Sequence, residues 1–308
     1  MKKRPDDYDS PWKEAIRMFF RDFLRFFFPK ISDDIDWEQP YDFLDQELHK
    51  ILGDSAQGKM RVDALVKVLT KRHGAQWLLI HIEIQSQVDA KLPQRMFTYN
   101  HRARGYSNCP VVSLAILADT SPRWRPSVFR EELWGCEVMF KFPTCKLLDF
   151  PTTPEMPDNP FSWLVAAHLH TKRTKARPTQ RMNVKLSLVK SLMGCGQSAE
   201  MVIQLLRLVD WLLKLPDELE YIFDNEISKF EEEHNMPYVT RWERRGHEQG
   251  LAEGLQNGRL QANRESALTL LKAKVDPEIV FAATGLRPED LNTSDIAKPD
   301  PKRSSHQP

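Results

Sequence analysis

Two stretches of alternating residues, separated by a short polar turn, constrain this chain more than any other feature. Arg61 to Leu69 alternates, Lys71-Arg72-His73-Gly74 turns, and Trp77 to Gln85 alternates again, the pattern of a β-hairpin. Side chains on a strand point to opposite faces in turn. One face therefore holds Val62, Ala64, Val66 and Val68 beside Leu78, Ile80, Ile82 and Ile84. That face is wholly aliphatic and requires a core. The other holds Arg61, Asp63, Leu65 and Lys67 beside Trp77, Leu79, His81, Glu83, Gln85 and Gln87. A slip of one residue would turn the aliphatic set to water, whereas a slip of two would leave each set on its own face.

The flanking segments build a mixed sheet covered by helices, an α/β arrangement. Residues 11–28 and 40–52 read as helices before the hairpin, the first opened by Pro11 and ended by Pro29. Residues 91–106 read as a helix after it. Val111 to Leu117, an unbroken apolar run, reads as a central strand. Two further strands are expected at 137–142 and 146–150. Pro151, Pro154, Pro157 and Pro160 mark a linker. This predicts one domain over 8–150, a linker over 151–160 and an all-helical region over 161–236, with helices at 161–171, 179–193, 198–214 and 216–234. A long charged helix begins near Tyr238 and carries Gly246, Gly250, Gly254 and Gly258. Glycine at every fourth position keeps to one helix face, so this helix is either a docking face for a second copy or a frayed helix. Asp276 and Gly285 bracket a short helix at 277–284 within a terminal helical hairpin. Residues 292–308 are polar and expected to be disordered.

Folding the hairpin about His73 sets Asp63 opposite Glu83. Opposed side chains on paired strands have Cβ atoms roughly 4.5–5.5 Å apart. Two carboxylates that close repel unless one is protonated or a cation lies between them. Mg²⁺, with Mn²⁺ or Ca²⁺ as alternatives, suits such oxygen ligands. Gln85 lies two residues beyond Glu83 on the same face, where an amide can orient a metal-bound water or donate to a phosphate oxygen. These are the parts phosphodiester hydrolysis needs. The competing reading is an ordinary solvated hairpin face. His81 shares the face and reads as a neighbour rather than a general base. Lys172 and Arg173 lie between two expected helices, where a loop can reach a phosphate backbone.

Asp63 followed by Glu83-Ile84-Gln85 resembles the core of the PD-(D/E)XK nuclease superfamily, with Gln85 in the place of its lysine. The chain is similar in particular to the Rpn-type recombination-promoting nucleases, a YhgA-like, transposase-related branch. Trp12-Lys13-Glu14, Ile35-Asp36-Trp37, Leu44-Asp45-Gln46-Glu47-Leu48, Arg61-Val62-Asp63, His81-Ile82-Glu83-Ile84-Gln85 and Arg95-Met96-Phe97-Thr98-Tyr99-Asn100 carry the resemblance, which covers residues 8–150 well. It implies a restriction-endonuclease-like fold and a metal-dependent DNA endonuclease. It implies Asp63, Glu83 and the carbonyl of Ile84 as metal ligands, and Gln85 as a catalytic group. Glu47 becomes the expected helix-borne carboxylate, with Glu14 as the weaker alternative. Lys67 is a compensating cation, and Arg95, Arg102 and Arg104 are phosphate contacts. A glutamine supplies only a dipole where a lysine supplies charge. A catalytically silent DNA-binding or interaction protein of the same fold is therefore the alternative.

Bulk properties agree with either reading. The formal net charge is +1, so any nucleic-acid surface must be local. The four cysteines are scattered without a C-x-x-C, which points away from a zinc knuckle and toward reduced thiols in the cytoplasm. Met1-Lys2-Lys3-Arg4 leads into Pro5, Asp6, Asp7 and Asp9, not into an apolar signal core. No membrane association is expected.

Overall fold

A computed structural model describes residues 9–44, 64–71, 75–234, 262–264, 266–271 and 275–287. They fall into two compact units that divide between Tyr238 and Val239. Among the described residues no helix is long and apolar enough to cross a membrane.

The first unit opens on α1 (Asp9–Met18), α2 (Phe20–Phe27) and α3 (Pro29–Asp34). Trp12, Ile16, Phe20, Phe23, Leu24 and Phe27 recur at helical spacing and are all buried. The single helix expected over 11–28 is bent at Phe19, whose φ and ψ are −129° and 40°. The bend is mild, because Phe19 and Phe23 still bond the carbonyls four residues back. The helix ends before Pro29 as expected, at Phe27, with Phe28 at φ −138° and ψ 60°. Pro29 also opens the next one, α3, at the first position, where its missing N–H is not needed.

The helix expected over 40–52 gives way, at its described start, to a two-residue strand, β1 (Asp42–Phe43). Tertiary pairing overrides local preference here. Asp42 and Phe43 pair with Lys67 and Val66, and Phe20 packs against the Phe43 ring at 5.6 Å. The hairpin follows as β2 (Ala64–Leu69) and β3 (Trp77–Gln85). Its register runs from Ala64 opposite Ile82 to Leu69 opposite Trp77, as folding about His73 requires. Helix α4 (Leu92–Ser107) crosses over to β4 (Val111–Leu117), which lies parallel to β3. A ribbon of β5 (Val128–Leu133) and β6 (Cys136–Lys141) precedes β7 (Thr144–Lys146). The main sheet is five-stranded and mixed, in the order β1-β2-β3-β4-β7.

Two strand expectations shift. The residues 147–149 form a 3-10 turn, so the last strand ends at Lys146. β5 was not anticipated, because its charged, largely exposed sequence lacks alternation. It is held by β6 and by stacking of Phe129 on Phe97 of α4 at 5.0 Å. Trp134 and Gly135 join the two strands with φ of 52° and 82°, the left-handed pair of a tight hairpin turn.

Helices α5 (Pro160–Arg173), α6 (Pro178–Met193), α7 (Ala199–Leu212) and α8 (Asp217–His234) follow. They do not form a separate core. Phe161, Leu164, Val165, Val202, Leu205 and Val209 belong to the same buried cluster as Ala64, Val66, Ile80, Ile82, Leu114 and Ile116 of the sheet. The Pro-rich stretch 151–160 is thus a strap within one core rather than a boundary.

In the second unit Asp276 caps the helix Pro277–Thr284 by accepting from the Glu278 amide, and Gly285 ends it at φ 72°. Ala267 and Val280 are buried against each other's neighbours, and Asn263 donates to the Thr284 carbonyl. The glycine-spaced segment Gly246 to Gly258 and the tail 292–308 lie outside the described residues.

Candidate functional site

β3 and β4 end side by side at Gln85 and Leu117. The carboxyl ends of parallel strands are where open α/β sheets form ligand crevices. The mixed face of the hairpin is not solvated there, because α4 lies across it. Leu65 and Leu79 are buried with Ala103, and Ala115 and Leu117 with Leu92 and Met96. Glu83, 3% exposed, is therefore a carboxylate inside the protein. An uncompensated charge at such a depth costs several kcal/mol, of order 3–5 when a partner is removed.

Arg95, in the first turn of α4, compensates it. Its Nε and Nη2 donate to Glu83 Oε1 at 3.1 and 2.7 Å. Nη2 also donates to Gln85 Oε1 at 2.6 Å, and Nη1 to Asp89 Oδ2 at 2.5 Å. One guanidinium thus gathers the oxygens of three side chains. Burial works against the Arg95 charge, but Glu83 and then Asp89 more than offset it and raise its pKa. Burial likewise lifts the Asp89 carboxyl, while the Lys91 amide and Arg95 outweigh that and hold it low. Arginine has five N–H donors. Four are used here, and the second N–H of Nη1 meets no acceptor among the described residues.

His81 lies one row deeper on the same face. Its Nδ1 and Ser113 Oγ share a hydrogen bond of 3.0 Å, and Asn100 donates to the same hydroxyl. Nε2 has no hydrogen-bond partner among the described residues. Burial, helped by the nearby Arg95 charge, pushes the His81 pKa down to about 3. A neutral, 1% exposed imidazole is a packing group and not a base that substrate can reach.

The other expected site residues distribute as follows. Asp63 and Glu47 lie outside the described residues. Ile84 is buried on the aliphatic side. Lys67 places Nζ over the Trp77 ring at 4.8 Å, opposite Leu79. That is two same-face positions from Glu83, roughly 13 Å along the strand, so the structure does not bring Lys67 to the carboxylate. Arg102 and Arg104 are exposed on later turns of α4. Lys172 and Arg173 end α5, which packs on the aliphatic face of the sheet. Arg173 there donates to Thr152 Oγ1 at 3.2 Å. Glu14 is ion-paired with Arg207 of α7, which ties α1 to the helical layer.

Five residues at or beside the site were missed. Asp89 carries a readable signal, since its side chain accepts from the Lys91 amide just before a Pro-opened helix, as a cap would. Ser113 and Asn100 carry none, because only the crossover brings them to His81. Lys146 and Asp119 form a buried ion pair of 2.5 Å at the same end of the sheet, with Lys146 in register with Leu117.

The oxygens of Glu83, Gln85 and Asp89 converge on the Arg95 guanidinium. Among the described residues no three His, Cys, Asp or Glu side chains form a metal-holding group. No family model, curated protein or solved structure matches the chain.

Proposed function

We propose that the chain is a divalent-metal-dependent endonuclease of DNA, of the kind its resemblance links to recombination and mobile elements. The observation that carries this reading is the buried Glu83 joined to Gln85 through the Arg95 guanidinium at the carboxyl ends of β3 and β4. Asp63 supports it from the sequence: it precedes Ala64, whose partner Ile82 precedes Glu83. Glu83 and Asp63 would hold the metal, with Glu47 as a further carboxylate. A bound Mg²⁺ supplies a water of lowered pKa and offsets phosphate charge. Gln85, whose Oε1 accepts from Arg95 and whose Nε2 donates to the Gln87 carbonyl, would align the attacking water through the second lone pair of Oε1. Arg95 provides the fixed positive charge that Gln85 does not, and its remaining N–H is available to a phosphate oxygen.

Plasmid nicking with and without Mg²⁺ tests this. Asp63→Ala and Glu83→Gln are each expected to lower metal-dependent nicking by about a hundredfold or more. Undiminished nicking in both variants removes the site from consideration. One observation favours a second reading, a silent DNA-binding protein: Glu83 is already neutralised by Arg95. Salt-sensitive DNA binding by a wild-type chain that nicks with neither Mg²⁺ nor Mn²⁺ would decide for it.

A further inference from the structure

At the turn end of the hairpin, roughly 20 Å along β3 from Glu83, a separate cleft of about 320 Å³ is lined by Arg21, Arg25, Ser32, Asp33, Trp37 and Lys71. Its size falls within the range of small-ligand sites, roughly 300–1,000 Å³. The walls come from α2, from α3 with the segment after it, and from the end of β2. Backbone bonds hold these segments together. The Lys71 amide donates to the Asp34 carbonyl at 2.7 Å, and the Asp36 amide to Leu69 at 2.8 Å. Ile35 and Thr70 form a bridge. Trp37 is pinned by its Nε1 bond to the Ser32 carbonyl at 2.9 Å, and the Arg21 guanidinium lies over its ring at 5.5 Å.

The charges are unbalanced. Three cations face one carboxylate, that of Asp33. Among the described residues neither Arg21 nor Lys71 makes an ion pair, and Arg25 has only Asp22 at 3.9 Å. Cations gathered round one hollow repel each other, and among the described residues Asp33 and the neighbouring Asp22, which feels both Arg25 and Arg21, do not cancel the whole excess. An anion with two charges does. Two guanidinium forks and an ammonium match the oxygens of a tetrahedral dianion. The volume leaves room for an attached group, with Asp33 and Ser32 as acceptors for its hydroxyls or amines. The geometry points to a binding site for a phosphate monoester, borne by a free nucleotide or by the 5′ end of a nucleic-acid strand. Neither Glu83 nor nuclease activity is needed for it.

Calorimetry on the full chain with adenosine monophosphate, adenosine and inorganic phosphate tests the free-nucleotide source. Anisotropy with a short single strand, 5′-phosphorylated or 5′-hydroxylated, tests the strand-end source. Saturable binding is expected for at least one phosphorylated probe, weaker by about tenfold for its unphosphorylated counterpart. Arg21→Ala/Arg25→Ala is expected to erase that preference, and Lys71→Ala to reduce it severalfold. All three side chains are on the surface. Should the double alanine variant still lose its circular dichroism, Arg21→Gln/Arg25→Gln takes its place. Preference confined to the nucleotide or to the strand identifies the source. Absence of saturable binding by every phosphorylated probe, or a preference that survives the double variant, overturns the proposal.

Discussion

The two faces of the central sheet are covered by helices in opposite ways. On one, α1, α2 and α5 to α7 meet a surface of Val, Ile, Leu and Ala with aromatic rings, and apolar packing dominates over a few polar ties such as Trp12–His168. On the other, α4 meets Leu65 and Leu79 at one end and a buried carboxylate at the other, and there a guanidinium closes the interface. The first face stabilises through area removed from water, at about 1.5–3 kcal/mol for each fully buried aliphatic side chain. The second spends part of that gain on desolvating charge. A fold seeking stability alone would have placed a leucine at Glu83. The polar face has the composition of a site and the aliphatic face that of a scaffold.

Perturbing each face should separate the two modes. Trp12, fully buried against Phe27, Phe161 and His168, belongs to the scaffold. Trp12→Ala is expected to cost about 4 kcal/mol in urea unfolding, at any salt concentration. Arg95→Ala should cost about 3 kcal/mol by removing the positive charge beside the buried Glu83, and adding Glu83→Gln should restore part of that loss. If the double variant is no more stable than the single one, charge is not what distinguishes this face.

Acid probes both faces together. His81 sits on the polar side, and burial with the Arg95 charge lowers it from 6.5 to about 3. His168, on the scaffold side, is lowered from 6.5 to about 4 by burial, which outweighs its Ala118 bond. Both are neutral when folded and take up a proton more readily when unfolded. Their contribution is therefore complete above pH 6.5 and fades below it, by about 3 kcal/mol each at pH 4. Replacing either with Gln should flatten the pH dependence of the melting temperature between those values. An unchanged slope would mean that the imidazole is not excluded from protonation. Smallest of all, Ile82→Val should cost about 1 kcal/mol, and a loss above twice that would show the scaffold to be less tolerant than its aliphatic makeup suggests.

The hairpin and the aliphatic face that buries Ile80, Ile82 and Ile84 were legible because period-two alternation sorts the two faces, and folding about the turn gave the register observed. The central strand Val111–Leu117 was legible as an unbroken apolar run. β5 was not, since Arg130, Glu131 and Glu132 stand in water and are held by a partner strand rather than by burial. The shared core of sheet and C-terminal helices was hidden by the prolines of 151–160, which read as a boundary while the chain uses them to turn back. The placement of Glu83 and Gln85 on one face of β3 was legible from spacing. The role of Arg95 was only half so: its helix was readable, but its attachment to Glu83 depends on how α4 crosses the sheet.

The bond between Trp12 Nε1 and His168 Nδ1 spans 156 residues. Because indole can only donate, His168 must keep its proton on Nε2, which then serves the Ala118 carbonyl at 3.0 Å. On a ribosome adding about 5–20 residues per second, the aromatic N-terminal helices wait on the order of 10–30 s for that partner to be synthesised. Throughout that interval Trp12, Phe23 and Phe27 lack the covering that Phe161 and its helix later provide. Such a nascent segment is a natural client for a chaperone at the exit tunnel, and slowing translation should lengthen its dependence on one.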